Sequence, residues 1–145
     1  MPAAFWSSIR HFQPAEWPRD PDRVNPAVVM LADLMREDSG WPIVVHVAWD
    51  DTGHVSGSSH YTAFTDFCSA FDFHFVGPPL LEQWLFAERY PWRGIGLYPH
   101  WQTPGLHCDL RTLGRDHPEM GHRWYRDPAG AYKPIDRAFL RTLAG

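Results

Sequence analysis

The chain has 145 residues, of which 44% are hydrophobic and 21% charged, and this composition predicts a single globular domain over residues 1–145. A formal charge of −4 and the lack of any Lys/Arg cluster argue against a nucleic-acid partner. No run of eighteen apolar residues and no secretory signal occur, so we expect no membrane insertion and a chain that is cytoplasmic as synthesised.

The N-terminal third begins with a proline-rich segment, residues 1–24, which predicts an extended arm packed by aromatic side chains. A helix follows, because Asn25 is a good N-cap, Pro26 suits the first helical position and Gly40 is a stop signal. Its apolar stripe is predicted to comprise Val28, Leu31, Leu34 and Met35. The β-branched run PIVVHVAW at 42–49 then predicts a buried strand.

The second half of the chain predicts three more strands. They are AFDFHFV at 70–76, GIGLYP at 94–99 and GLHCDLR at 105–111, and the last two should form a hairpin. A helix is predicted at 80–88, with an apolar face formed by Leu81, Trp84 and Leu85. Beyond residue 114 we expect loop structure up to 134 and then a short terminal helix. Cys68 and Cys108 are too few for a disulfide framework and are expected to be buried thiols.

Three residues stand out as candidate metal ligands: His60, Asp72 and His107. His60 ends a Gly/Ser-rich loop, whereas Asp72 and His107 lie inside apolar strands. A carboxylate in such a strand is costly unless it is paired or binds a metal. Two imidazoles and one carboxylate, with a fourth position open, are a ligand set of catalytic zinc.

Strand periodicity groups the polar residues further, because residues two apart share a face. Asp72 shares a face with His74, and His107 shares one with Asp109 and Arg111, while Cys108 points to the core. One interpretation is that these faces line a cleft. The alternative is that His107, Asp109 and Arg111 form the solvated face of an edge strand.

Taken in order, the motifs SSH at 58–60, AFDFHFVG at 70–77, GIGLYP at 94–99, GLHCDLR at 105–111 and HRW at 122–124 resemble a family of zinc peptidases. This family includes D-Ala-D-Ala carboxypeptidases, murein endopeptidases and the hedgehog-type fold. Its pattern is SxHxxGxAxD, GIGxYP, FxHxD and a later RW. The resemblance implies an α+β fold with a small antiparallel sheet and flanking helices, which agrees with the predicted elements. It also implies Zn²⁺ as cofactor and peptidoglycan stem peptide as substrate.

The chain departs from the family pattern in the spacing of the first two ligands. The family places the Asp seven residues after the first His, whereas Asp72 follows His60 by twelve. Either residues are inserted in YTAFTDF at 61–67, or the ligand is Asp66. We favour Asp72, because its surroundings match the AxDFH strand of the family.

A second departure concerns the general base, because the positions that supply it in better-known branches are Pro104 and Gly105 here. Asp109 resembles the Asp of the FxHxD branch and is a candidate for the base or for orienting a ligand. His122 is the second candidate for proton transfer or for stabilising the tetrahedral intermediate. Arg111 is a candidate to bind a substrate carboxylate, or else forms an ordinary surface salt bridge.

We therefore expect a zinc peptidase that hydrolyses amide bonds in peptidoglycan stem peptides. The missing signal peptide suggests a phage or prophage lytic enzyme that reaches the wall during lysis. The alternative is a zinc-binding structural or binding module of the same fold without turnover, and the missing base before His107 favours it.

Overall fold

The computed structural model describes residues 1–50, 67–111 and 123–145. In these ranges the chain forms four α-helices, two 3-10 turns and six strands. The helices are α1 (Ala3–Ser8), α2 (Pro26–Ser39), α3 (Leu80–Ala87) and α4 (Arg137–Ala144). The strands are β1 (Ile43–Val47), β2 (Ala70–Phe75), β3 (Gly94–Tyr98), β4 (Gly105–Asp109), β5 (Arg123–Arg126) and β6 (Tyr132–Pro134). The predicted α+β class is confirmed.

The six strands form one open sheet in the order β1-β2-β4-β3-β5-β6. Neighbouring strands are antiparallel, except that β3 and β5 are parallel. The predicted hairpin of β3 and β4 is confirmed. Since β4 lies between β2 and β3, the alternative that His107 stands on an edge strand is wrong.

The sheet is apolar on one face and polar on the other. Phe71, Phe73 and Phe75 alternate along β2 and are buried on the apolar face. They belong to one hydrophobic core with side chains of α2, α3 and α4, which include Val28, Ala32, Met35, Phe86 and Phe139. The helices therefore pack on the apolar face, and Asp72 and His74 project from the opposite one.

Helix α2 begins and ends where its capping residues predict. The Asn25 side chain accepts a hydrogen bond from the backbone N–H of Ala27 at 2.9 Å, and Gly40 adopts the left-handed conformation with φ 71°. The predicted stripe is only partly right, because Leu34 is 44% exposed. The buried residues of the helix are Val28, Val29, Ala32, Asp33 and Met35.

Two predictions about the chain ends are wrong. The N-terminal segment is not an extended arm: it contains α1 and two 3-10 turns, Pro14–Glu16 and Pro21–Arg23, each of which begins at a proline. The predicted loop between residues 114 and 134 contains β5 and β6, while the predicted terminal helix is present as α4. Both thiols, Cys68 and Cys108, are buried and unpaired as expected. None of the helices in the described ranges is long and apolar enough to cross a bilayer.

Candidate metal centre

Asp72 and His107 lie side by side on the polar face, because β2 and β4 pair them directly in the register. His107 Nδ1 is 2.8 Å from Asp72 Oδ1. Both side chains are largely buried, with 15% of the Asp72 side chain and 9% of the His107 side chain exposed. The carboxylate inside an apolar strand thus has the partner that its burial requires.

The other ring nitrogen of His107 contacts Asp109, which is itself paired with Arg111. His107 Nε2 is 2.7 Å from Asp109 Oδ2. Arg111 Nε donates to Asp109 Oδ1 at 2.8 Å, and Arg111 Nη2 donates to Asp109 Oδ2 at 2.6 Å, which is a bidentate pair. The backbone N–H of Arg111 also donates to Asp109 Oδ1, at 3.0 Å. Asp109 is 0% exposed and Arg111 3% exposed, so the arrangement fixes the ring of His107 from within the protein.

This network shifts the pKa values of His107 and Asp109 in opposite directions. Burial alone would lower the pKa of His107, but its contacts with Asp109 and Asp72 outweigh burial and raise the pKa above the ordinary value. Burial would raise the pKa of Asp109, but hydrogen bonds from Arg111 and His107 hold that pKa well below its usual range. Asp109 is therefore an ionised acceptor at neutral pH rather than a group that readily takes up a proton.

The two glycines of the GIG motif in β3 make room for this network. A Cβ atom on Gly94 would collide with the Asp109 carboxylate and would lie 2.7 Å from Arg111 Nε. A Cβ atom on Gly96 would lie 2.5 Å from Cε2 of Trp124. The centroid of the Trp124 ring is 5.3 Å from the centroid of the His107 ring. The guanidinium carbon of Arg111 lies 4.7 Å from the centroid of the Trp124 ring. The motif thus provides space on the polar face for the groups that surround His107.

A pair of histidines, His46 and His74, borders the same face. His46 Nε2 is 2.6 Å from His74 Nδ1. Burial and the neighbouring His46 both lower the pKa of His74. The register of β1 and β2 shifts between Val45 and Val47, and this bulge sets the position of His46. A cavity of about 360 Å³ next to the pair is lined by His46, Val47, Asp72, Trp101, Gln102 and Thr103.

The structure brings together four of the residues singled out in the sequence: Asp72, His107, Asp109 and Arg111. The other three candidates, His60, Asp66 and His122, lie outside the described residues. Within the described ranges, no three or more His, Cys, Asp or Glu side chains are arranged to hold a metal ion. The described residues therefore include two of the three predicted ligands, Asp72 and His107. That His60 lies close to them stays a prediction.

The geometry distinguishes between the roles considered for Asp109 and Arg111. Both oxygens of Asp109 accept hydrogen bonds within the protein, which favours ligand orientation over proton transfer. Arg111 is buried with its guanidinium on Asp109, which favours the internal ion pair over binding of a substrate carboxylate. The ion pair is not the surface pair that the sequence suggested, because both partners are inside the protein.

Sequence reasoning missed the contributions of His46, Trp101 and Trp124 to this face. Alternation along β2 gives the face of His74 correctly, but the β-bulge that sets the position of His46 has no clear sequence signal. Trp101 lies in the loop that joins β3 to β4, where periodicity carries no information. Trp124 lies in β5, a strand that was not predicted. The HRW motif was the available signal for Trp124.

Comparisons of this chain with protein-family models, with curated proteins and with solved structures found no match.

Proposed function

We propose that this protein is a zinc-dependent peptidase with a hedgehog-type fold that hydrolyses amide bonds of peptidoglycan stem peptides. The observation that carries the proposal is the pairing of Asp72 with His107 on adjacent central strands, with Nδ1 and Oδ1 2.8 Å apart. The mixed sheet with helices on one face and this pair on the other supports the proposed fold. In this proposal the chain reaches the cell wall during lysis, as a phage or prophage lytic enzyme does.

The donor chemistry of the two residues fits zinc. An imidazole nitrogen and a carboxylate oxygen that face each other are ordinary zinc ligands, and His60 would complete a set of three. The second ring nitrogen of His107 faces Asp109, which is the carboxylate–histidine arrangement that orients metal-binding imidazoles. The proton between His107 Nδ1 and Asp72 Oδ1 would leave on metal binding, because only the neutral imidazole is a ligand.

When bound, zinc would supply an acidified water and would polarise the carbonyl of the scissile amide. The chain's own residues set the conditions for this chemistry. Asp109 and Arg111 fix the orientation of His107, so that Nδ1 faces Asp72. The cavity beside Asp72 gives a peptide access to this side of the sheet. Transfer of the proton to the leaving amine is assigned to His122 in this proposal, because the oxygens of Asp109 are engaged.

One observation favours the second candidate function, a zinc-binding module without turnover. Asp109 is 0% exposed, and the Arg111 guanidinium donates hydrogen bonds to both oxygens of its carboxylate. A carboxylate held in this way is a poor general base, because its pKa is well below the usual range. The two candidates share the metal centre and differ in whether the amide bond is cut.

The zinc content of the purified protein tests the metal centre. We expect about one zinc per chain in the wild type and a loss of zinc in His107→Ala, because the proposed site holds one metal. Asp72→Asn is a second variant. It keeps the size of the side chain, and Asp72 is less buried than His107. His11→Ala is the matched control, because this exposed histidine lies beside Glu37 in the N-terminal segment and should not affect zinc. Circular dichroism spectra confirm that each variant is folded.

Release of amine groups from purified peptidoglycan then separates the two functions. A peptidase should release amines in a reaction that a chelator stops and added zinc restores. Zinc bound at the site without any amine release would favour the module without turnover. Absence of zinc from the folded wild-type protein would contradict both functions.

A further inference from the structure

Arg126 occupies a position on the polar face that differs from those of the neighbouring arginines. It lies on β5 two residues after Trp124, so the two side chains share a face of the sheet. It is exposed, whereas Arg111 is buried on Asp109, and Arg123 on the other face of β5 is bound to Glu88. Among the described residues, no carboxylate is paired with Arg126.

The acidic residue next to Arg126 is engaged elsewhere. Asp127 Oδ1 accepts the backbone N–H of Ala131 at 2.8 Å, and Asp127 Oδ2 lies 3.1 Å from Lys133 Nζ. These contacts lower the pKa of Asp127, chiefly through the backbone hydrogen bond from Ala131 and the bond from Lys133. The charge of Asp127 is therefore directed to Lys133 and the turn, so that within the described ranges the positive charge of Arg126 is available to another anion.

In the part of the chain that the structure describes, the Arg126 guanidinium is held through Nε and an aromatic ring, and its two terminal nitrogens make no hydrogen bond. Its Nε donates to the carbonyl oxygen of Gly130 at 3.3 Å, and its guanidinium carbon lies 5.6 Å from the centroid of the Tyr132 ring. Gly130 has φ 87°, and a Cβ atom there would lie 3.3 Å from Arg126 Nη2, so glycine suits both the turn and the guanidinium. A planar fork that is fixed through Nε and an aromatic ring suits bidentate binding of a carboxylate.

A cavity of about 310 Å³ adjoins this guanidinium. Its lining includes Arg126, Tyr98, His100 and Trp101, and also Asp127, whose carboxylate is bound to the Ala131 N–H and to Lys133. Trp101 also lines the cavity beside Asp72, so the two cavities share this residue. The lining thus combines a cation with aromatic surface, which is suited to the charged end of a small peptide.

The register places Arg126 at a short distance from the proposed metal centre. Trp124 pairs with Gly96, and Gly96 pairs with His107, so β5 is two strands away from His107. Two strand spacings amount to ~10 Å, and two residues along β5 add ~7 Å in the strand direction. The two components combine to a separation of ~12 Å, and because an extended chain advances ~3.4 Å per residue, this separation suits a peptide segment of about three or four residues.

We propose that Arg126 binds the C-terminal carboxylate of the peptide substrate, and that the cavity around it is the subsite for that end of the peptide. This inference rests on the proposed function for the identity of the ligand. It replaces Arg111 as the carboxylate-binding residue. It also predicts that the bond to be cut lies close to a free C-terminus.

Binding of two matched ligands tests the subsite without any need for turnover. The probes are N-acetyl-D-alanyl-D-alanine and the same dipeptide with a C-terminal amide, and calorimetry measures the dissociation constant of each. The wild-type protein should bind the acid at least ~10-fold more tightly than the amide, because a bidentate charged hydrogen bond is lost with the amide. Arg126→Gln should reduce this preference to less than ~2-fold and leave the affinity for the amide unchanged.

Arg137→Gln is the control, because it removes the same charge from an exposed position at the start of α4. It should keep the wild-type preference for the acid. Equal affinities of the wild type for acid and amide, no binding of either, or an acid preference that survives Arg126→Gln would each overturn the assignment. Amine release from peptidoglycan, measured in parallel, reports on the proposed function itself. Acid preference without hydrolysis would keep the subsite and reject the peptidase, and hydrolysis without acid preference would do the reverse.

Discussion

Asp109 is completely buried, and both of its carboxylate oxygens accept hydrogen bonds from the guanidinium of Arg111. We predict that Asp109→Asn lowers the free energy of unfolding by about 3 kcal/mol, because it removes the buried negative charge that is paired with the Arg111 guanidinium. Urea denaturation of the metal-free protein measures this change. Glu37→Gln is the control, since among the described residues it disrupts exposed ion pairs with Arg10 and His11 and should change stability by less than about 0.5 kcal/mol. A similar small loss in both variants would contradict the prediction.

The same substitution separates the two roles that the sequence allows for Asp109. If Asp109 orients His107, Asp109→Asn should weaken zinc binding by about 10-fold or more, as loss of such a carboxylate does at other zinc sites. If Asp109 were the general base, the variant should bind zinc normally and lose turnover. We expect the first result, because His107 Nε2 lies 2.7 Å from the carboxylate. A zinc titration with a competing chelator gives the affinity.

At the level of elements, strand β3 has glycine at two positions, Gly94 and Gly96, where a side chain would collide with groups on the polar face of the sheet. We predict that Gly96→Ala costs about 1–3 kcal/mol in the free energy of unfolding, because the new methyl group would lie 2.5 Å from Trp124 Cε2. The three nearest atoms all belong to the Trp124 side chain, so Trp124 carries the clash.

A double-mutant cycle with Trp124→Leu checks this cause. In the Leu background, Gly96→Ala should cost less than in the wild type, because the clashing ring is absent. An equal cost in both backgrounds would place the clash elsewhere. Chemical denaturation of the four proteins provides the necessary free energies.

Local signals predicted some elements well. Helix α2 has Asn25 and Gly40 at its ends, where a side-chain hydrogen bond and a left-handed residue satisfy the backbone, so its limits could be predicted. Helix α3 was located correctly, but its buried face was not. Leu85 is 55% exposed, and Gln83 is buried, because its side chain bonds the Phe75 N–H and the Pro78 carbonyl. A polar residue buried through hydrogen bonds is not visible to a reading of hydrophobic periodicity.

Long-range pairing accounts for the strands that the sequence did not predict. Residues 123–126, RWYR, carry an arginine at each end and contain no apolar run. Their strand structure comes from parallel pairing with β3 and antiparallel pairing with β6. Similarly, the face of Asp72 and His107 followed from period-two alternation, whereas their direct contact required the register between strands. Motif order alone could not supply that register.

On the scale of the whole molecule, the proposed metal centre connects segments that are far apart in the chain. Asp72 and His107 are 35 residues apart, and the central strands β2 and β4 bring them together. A ligand that binds only the folded chain stabilises it. Metal binding by residues of separate segments should therefore be visible in global stability.

We predict that zinc raises the melting temperature of the wild-type protein and that this shift depends on Asp72. At a free zinc concentration of about 100 times the dissociation constant, the gain is about 2.7 kcal/mol, or roughly 5–10 °C for a domain of this size. Asp72→Asn should abolish the shift, because it removes a negatively charged ligand, whereas Asp66→Asn should retain it. Differential scanning calorimetry with and without zinc measures both. The opposite result, a shift lost in Asp66→Asn and kept in Asp72→Asn, would show that the family spacing, rather than the AxDFH strand, identifies the ligand. In that case Asp72 would serve only as the partner of His107 within the sheet.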